Sequence, residues 1–242
     1  MKRTERHHLK ENELEKFARR AREAVETRRR ETMAGIIALA VIGAVAVGYW
    51  AWRERVETRA HGMLAAALAA QEARIGPPAA PGVGAASTPS FATERERSLA
   101  ALAKFKAAAD AYPSTDAGIF ARYLEASTSM ALGNAADAAR AYQQVIDRAG
   151  DGIYGQMARL GLAEAHARAG QYDQAINTFK ELAQRKDGPL PIDGILMQLG
   201  RTYRDAGKRD DAQQTFNRLV EEFPQSPFAG DAKRELDSLK KA

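Results

Sequence analysis

The sequence contains no cysteine. This absence excludes disulfide bonds, thiolate zinc sites, thiol catalysis and a lipid-modified N-terminal cysteine together, but it leaves the cellular compartment open. The common catalytic motifs are absent too, since the chain has no GxSxG, HExxH, P-loop or glycine-rich dinucleotide motif. We therefore predict that the protein is not an enzyme and uses no cofactor, no metal and no small-molecule substrate.

The long C-terminal part of the chain lacks net charge. Residues 91–242 contain twenty-one Lys or Arg and twenty-one Asp or Glu, whereas residues 1–32 contain eleven and seven. The formal charge of +5 on the whole chain therefore comes mainly from its first residues. Because non-specific nucleic-acid binding needs a concentrated basic surface, we exclude nucleic acid as a partner.

One stretch, Met33–Trp52, contains no charged residue. Its length as a helix is about 30 Å, which matches the hydrocarbon core of a bilayer. The stretch is longer than the apolar region of a signal peptide, 32 residues precede it, and it ends with interfacial aromatics at Tyr49, Trp50 and Trp52. We predict an uncleaved transmembrane signal-anchor at 33–52, with the lipid bilayer as one partner.

Positive charges predict the orientation of this span. Residues 16–32 contain seven Lys or Arg, and residues 53–72 contain three. The side richer in positive charge faces the cytoplasm, so we expect a cytoplasmic N-terminus and a C-terminal domain outside the cytoplasm. Apolar residues at helical spacing within 1–32 predict a basic amphipathic segment, which either lies on anionic lipid headgroups or docks onto a partner.

Two segments connect the span to the C-terminal domain. Residues 53–75 contain no helix breaker except Gly62 and predict a stalk helix. Residues 76–90 contain four prolines and three glycines and predict a linker. Such a linker would let the stalk helix swing free or fold back against the next helix, and the sequence leaves both arrangements open.

A repeat of 37 residues organises the rest of the chain. Each unit has an alanine, an aromatic residue four positions later and a small or aliphatic residue three positions further: Ala101, Phe105 and Ala108; Ala138, Tyr142 and Val145; Ala175, Phe179 and Leu182; Ala212, Phe216 and Leu219. These offsets lie on one face of a helix. Five residues before the last three alanines, Gly133, Gly170 and Gly207 predict turns that end the preceding helix. Paired helices at this period are typical of tetratricopeptide repeats.

The repeat predicts an all-α fold, in which one transmembrane helix precedes an α-solenoid of tetratricopeptide-like hairpins over residues 91–242. Only the second helix of the first hairpin fits the pattern. Ser226 and Pro227 predict the start of a capping helix that ends near Leu239. His166 stands where the repeat usually has tyrosine, and we expect it in the core, bonded to a neighbouring helix.

Stacked hairpins form a concave surface lined by the first helix of each pair. From the repeat pattern we predict a protein-binding groove lined by nine residues: Tyr123, Ser127, Met130, Leu160, Glu164, Arg168, Met197, Arg201 and Arg204. Tyr123, Leu160 and Met197 occupy equivalent positions and would form an apolar strip that suits extended polypeptide. In the alternative interpretation, the terminal helix or the stalk partly covers the Met and Leu side chains.

A basic head, a signal-anchor, an interrupting loop and hairpins from LAKFKAAADAYPSTDAGIFARYLEA onward resemble the bacterial family of ancillary SecYEG translocon subunits. The resemblance implies a single-pass inner-membrane protein whose periplasmic repeats bind translocon subunits, periplasmic chaperones or client polypeptides, without catalytic residues. The segments at Tyr112-Pro113-Ser114 and Phe223-Pro224-Gln225-Ser226 also resemble repeat proteins of the Tol-Pal system. A scaffold for envelope or cell-division assembly is therefore the alternative function, although those proteins are soluble or lipidated.

Overall fold

The computed structural model describes residues 29–76, 90–185 and 188–241. These residues form nine helices and two short strands: α1 (Arg29–Gln71), β1 (Arg74–Ile75), β2 (Ser90–Phe91), α2 (Glu94–Ala111), α3 (Asp116–Ala131), α4 (Ala135–Ala149), α5 (Ile153–Arg168), α6 (Tyr172–Gln184), α7 (Ile192–Asp205), α8 (Arg209–Glu222) and α9 (Ala229–Lys241). The predicted all-α class is confirmed. Most of the predicted amphipathic segment 1–32, and the linker 76–90 apart from its two end residues, lie outside the described residues.

The chain divides into two compact units, Met1–Arg55 and Val56–Ala242. Within the first unit, the apolar side chains of α1 are exposed, with Ile36, Leu39 and Trp50 among them. From Met33 onward, α1 is the one helix among the described residues that is long and apolar enough to cross a membrane. A helix satisfies its own backbone hydrogen bonds, so an exposed apolar surface of this kind suits lipid as its solvent.

The second unit is a stack of four hairpins. In hairpin 1 the end of α1, from Val56, shares an apolar cluster with α2. The next three hairpins pair α3 with α4, α5 with α6, and α7 with α8, while α9 packs on α8. The predicted buried face of the second helices is confirmed, since the four repeat alanines are all 0% exposed and the four repeat aromatics are buried. Each hairpin therefore buries its apolar face against its neighbours.

Glycines end the first helices of hairpins 2, 3 and 4, as predicted. Gly133, Gly170 and Gly207 have φ values of +86°, +74° and +74°, a left-handed conformation that favours glycine. The residue after each glycine donates its backbone N–H to a carbonyl five residues earlier, for example from Asn134 to Ser129 at 2.9 Å. This is the bond that closes a Schellman turn and satisfies carbonyls at the helix end.

The stalk folds back against the next helix, which decides between the two arrangements that the sequence left open. Ala60, Leu64, Ala67 and Ala70 are buried in one apolar cluster with Phe105 of α2. The stalk is therefore the first helix of hairpin 1, the helix that the repeat pattern did not reveal.

The stalk helix ends at Gln71, four residues before the predicted Ile75. Arg74–Ile75 instead pair in parallel with Ser90–Phe91, and Gly76 donates its N–H to the Phe91 carbonyl at 2.9 Å. These bonds replace the helical ones and hold both ends of the 76–90 segment together. This short pairing was not predicted.

The capping helix begins at Ala229, two residues later than predicted. The backbone N–H of Phe228 donates to the Ser226 hydroxyl at 3.0 Å, and that hydroxyl donates to Asp193 at 2.6 Å. Ser226 therefore links the segment before α9 to hairpin 4 and does not cap the helix directly.

His166 is half-buried, and its Nδ1 lies 2.5 Å from Oε1 of Gln171, in the turn before α6.

Candidate functional site

The first helices of the hairpins lie side by side. Helices α3, α5 and α7 approach one another more closely than the second helices α4, α6 and α8 do among the residues described. We use the name first-helix face for the surface that they share, which includes these half-buried or exposed side chains: Phe120, Tyr123, Ser127, Leu160, Glu164, Arg168, Arg201 and Arg204. Seven of these eight residues belong to the predicted groove.

An aromatic cluster occupies the α3 end of the first-helix face. The ring centroid of Phe120 lies 6.3 Å from that of Tyr123 and 5.3 Å from that of Tyr154, and Tyr123 lies 5.7 Å from Tyr142. Tyr142 is buried, whereas the other three rings are partly open to solvent. Burial raises the pKa of the Tyr123 phenol, and the negative charge of Glu164 raises it further.

Two of the predicted groove residues on α3, Ser127 and Met130, have side chains that bond or pack within the protein. The Ser127 hydroxyl donates to the Leu124 carbonyl of its own helix at 3.1 Å. Met130 is buried in the apolar cluster of hairpins 2 and 3, so its prediction as an exposed groove residue is wrong. The backbone of Met130 still contributes, because its carbonyl accepts a hydrogen bond from Arg168 Nη1 at 3.2 Å.

Helix α5 places three predicted residues on one face, at successive four-residue intervals. Leu160 is half-buried against the core of hairpins 3 and 4. Glu164 is also half-buried, and Arg168 is exposed and reaches back to α3. Leu160, Glu164 and Arg168 are therefore available on the first-helix face.

The predicted apolar strip does not continue onto α7. Met197 is 1% exposed, because it lies in the apolar core that hairpins 3 and 4 share with α9. Its side chain cannot contact a partner on the surface, so this part of the predicted groove is corrected. The apolar surface is limited to the side of Tyr123 and Leu160, as the alternative interpretation of partial cover anticipated.

The two predicted arginines on α7 bind the capping helix. Arg204 donates to Glu235 at 2.6 Å, and Arg201 lies 3.5 Å from Glu235 and 3.7 Å from Asp231. Partial burial of Arg204 lowers its pKa, but hydrogen bonds with Glu235 and Asp205 outweigh this and raise it. Both guanidinium groups therefore already have acidic partners on α9 or α7.

A pocket of about 200 Å³ lies between α5 and α7. Its lining includes three predicted groove residues, Glu164, Arg168 and Arg201, together with Gln198 and Asp205. Burial raises the pKa of the Glu164 carboxyl, while the charge of Arg168 opposes this increase. Glu164 forms no hydrogen bond and no ion pair among the residues that the structure describes.

Two aromatic residues of the face were missed from the sequence. Phe120 lies three positions before Tyr123, and Met157 follows it at the repeat interval of 37 residues, so the repeat itself held a signal for this position. Tyr154 has no such signal, because the positions 37 residues before and after it hold Ala117 and Pro191. Within 29–76, 90–185 and 188–241, no three acidic or histidine side chains form a group that could hold a metal ion.

Comparisons with known proteins agree on the fold. A family model described as "Tetratricopeptide repeat-like domain" matches residues 30–226. Two crystal structures of nearly identical TPR-like repeats of a kinesin light chain from Podosopora anserina are each 13% identical to this chain. One, a variant, has a TM-score of 0.58 and the match covers 76% of this chain and 86% of that chain. The other has a TM-score of 0.57, with 76% and 87% covered.

A third solved structure, YrrB, is described as a TPR protein with an unusual peptide-binding site. It is 18% identical, with a TM-score of 0.48, and the match covers 58% of this chain and 68% of that chain. At these identities the likeness concerns the fold alone. No curated protein matches the sequence.

Proposed function

Since the chain belongs to the tetratricopeptide repeat-like domain family, whose hairpins form protein-interaction modules, we propose that it is a membrane-anchored module that binds polypeptides or chaperones near the protein-export translocon. It acts by binding alone, without catalysis or a cofactor. Its N-terminus lies in the cytoplasm, α1 crosses the bacterial inner membrane, and its repeats lie in the periplasm.

The observation that carries this proposal is the partly open aromatic cluster on the first-helix face. Phe120, Tyr123 and Tyr154 keep solvent-accessible ring surface while the repeat aromatics of all four hairpins are buried. Aromatic rings offer large apolar contact area at a low cost in side-chain entropy, and they are enriched where proteins bind proteins. An extended segment of a partner could cover these rings and continue over Leu160.

The segments before the repeats support the proposed location of the protein at the membrane. The apolar side chains of α1 are exposed from Met33, and positive charge is concentrated before the span. This arrangement of a basic head, a span and extracytoplasmic repeats resembles that of the ancillary translocon subunits. Gentle crosslinking followed by co-purification should recover translocon subunits and periplasmic chaperones, and recovery of neither would reject the location.

Substitution of both Tyr123 and Leu160 by serine should weaken binding of unfolded client peptides at least tenfold, because apolar contact area is lost while both sites are half-buried. Fluorescence anisotropy with the full chain in nanodiscs measures this. Leu99→Ser is the matched control, because Leu99 is 44% exposed on the second helix α2. Unchanged client affinity in the double variant would reject this face as the binding site.

The same assay separates the alternative scaffold for envelope or cell-division assembly from the binding of clients. A scaffold would bind one folded partner at fixed stoichiometry and ignore unfolded peptides. A client-binding module would accept many unfolded peptides with related chemistry.

Single cysteines introduced at Lys10 and Asn177 should report opposite sides of the membrane, because the native chain has no cysteine. In intact cells a membrane-impermeant maleimide should label the cysteine at 177 and spare the one at 10. Asn177 is exposed on α6, whereas Gly150 is unsuitable because its φ of +57° disfavours a side chain. Labelling of position 10 alone would reverse the proposed orientation.

A further inference from the structure

Glu164 stands out because it is a half-buried carboxylate that lacks a hydrogen-bond donor. It forms no hydrogen bond and no ion pair with any other described residue, although it lines the pocket between α5 and α7. Removing a carboxylate from water without giving it a donor costs free energy. A ligand that brings a donor to Glu164 would recover that cost on binding.

The other charged groups around the pocket are already engaged. Arg201 faces Asp231 and Glu235 of α9, and Asp205 accepts from Arg204 at 2.8 Å. Arg168 is the remaining cation, and its charge favours the ionised form of Glu164, but its guanidinium donates to the Met130 carbonyl and its side chain is exposed. Water and salt therefore screen the charge of Arg168 more strongly than they screen that of Glu164.

Glu164 also adjoins the aromatic cluster. Its charge acts on the phenols of Tyr123 and Tyr142, and it follows Leu160 by one helical turn. A carboxylate in a partly apolar surrounding is therefore next to the rings that remain open to solvent. A partner would meet an apolar surface and then the pocket that Glu164 lines.

Resting on the proposed function, we infer that Glu164 is a specificity-determining residue that selects polypeptide segments carrying a Lys or Arg side chain beside apolar residues. The apolar residues cover Phe120, Tyr123 and Leu160, and the basic side chain enters the pocket and donates to the Glu164 carboxylate. An ion pair formed in a partly desolvated site is stronger than one at an open surface. The positive charge on the partner thus decides which segments bind well.

Three synthetic peptides test this inference. Each has about ten residues of alternating leucine and serine, which span roughly 33 Å when extended. They differ in one central residue, which is lysine, norleucine or glutamate. Anisotropy is measured with the full chain in nanodiscs of uncharged phosphatidylcholine, so that lipid does not attract the basic peptide.

The lysine peptide should bind the native chain at least tenfold more tightly than the norleucine peptide, and the glutamate peptide should bind more weakly still. Glu164→Gln should remove the tenfold advantage of lysine while leaving the affinity for the norleucine peptide within twofold. Glu181→Gln, an exposed carboxylate on the second helix α6, should leave all three affinities unchanged.

Equal binding of the lysine and norleucine peptides by the native chain would overturn the role of Glu164 and leave the binding function standing. An unchanged lysine advantage in Glu164→Gln would overturn it as well. Failure of the native chain to bind any of the three peptides would instead count against the proposed function itself.

Discussion

Gly118→Ala should lose about 3 kcal/mol of folding free energy, although the substitution adds a single methyl group. A Cβ at Gly118 would lie 1.7 Å from the carbonyl oxygen of Tyr112 and 2.7 Å from its carbonyl carbon. Both atoms belong to the backbone of the turn between α2 and α3, so no side chain can move away to make room. The turn or the start of α3 must shift, and the contact between hairpins 1 and 2 shifts with it.

The repeat contains a second glycine of the same kind. Gly155 follows Gly118 by 37 residues, and a Cβ there would lie 2.0 Å from the carbonyl oxygen of Gly150. At both positions the end of a second helix approaches the first turn of the next first helix. The absence of a side chain is therefore a requirement at the first two junctions between hairpins, whereas Ile192 stands at the equivalent position of the third, and Gly155→Ala should behave like Gly118→Ala.

Gly62→Ala and Gly230→Ala are the matched controls. Both glycines lie inside helices, and a Cβ at either would meet nothing within 4 Å. Alanine has the higher helix propensity, so Gly62→Ala in the interior of α1 should gain about 0.5–1 kcal/mol, and Gly230→Ala in the first turn of α9 should lose no stability. A loss of stability in the controls equal to that of Gly118→Ala would contradict the steric explanation.

Thermal unfolding followed by circular dichroism at the helix band measures these changes. Both tryptophans, Trp50 and Trp52, lie in the apolar stretch of α1 and would not report the repeats by fluorescence. A loss of about 3 kcal/mol corresponds to a decrease in Tm of roughly 6–12 °C for a domain of this size.

The second helices could be predicted from the sequence because a repeated pattern specifies them. Ala138, Tyr142 and Val145 occupy the same face as their equivalents in the other hairpins, and all are buried. The turn glycines were equally predictable, since a left-handed residue must end each first helix and glycine adopts that conformation without strain. A residue pattern that recurs from hairpin to hairpin is specific enough to predict these helices and turns.

The first helix of hairpin 1 could not be predicted from the repeat in the same way. Its two helices are joined by residues 72–93, whereas α3 and α4 are joined by residues 132–134. The long connection places the stalk out of register with the 37-residue period. The stalk also buries mostly alanine, at Ala60, Ala67 and Ala70, and an alanine-rich helix shows little contrast between its faces.

The groove was predicted only partly from the sequence. The reason is that equivalent positions of the repeat need not be equally exposed. Leu160 and Met197 occupy the same place in successive hairpins, yet Leu160 is half-buried and Met197 is in the core. The difference comes from α9, whose Leu236 and Leu239 join the core of hairpins 3 and 4. A repeat pattern describes each hairpin, but the neighbours at the end of the stack decide what remains open.

Leu64→Glu should open hairpin 1 while hairpins 3 and 4 remain folded. Leu64 is 7% exposed and packs in one cluster with Phe105, so glutamate would place a charge among buried apolar side chains. The stalk would separate from α2 to return the carboxylate to water, which exposes the Phe105 ring. We expect a local destabilisation of about 3 kcal/mol or more, comparable to truncation of a buried aromatic residue.

Ala65→Glu is the control, because Ala65 is the next residue of the same helix and is exposed. Hydrogen exchange with mass spectrometry should show that α2 loses protection in Leu64→Glu and keeps it in Ala65→Glu, with α7 and α8 protected in both. Repeat stability is transmitted mainly between nearest neighbours, so the effect should decline from hairpin 1 to hairpin 3. Protection of α2 in Leu64→Glu would show that α2 folds without the stalk. Loss of protection that is largest in α2 and declines towards hairpin 3 would instead mean that the C-terminal part of α1 supplies one helix of the first hairpin.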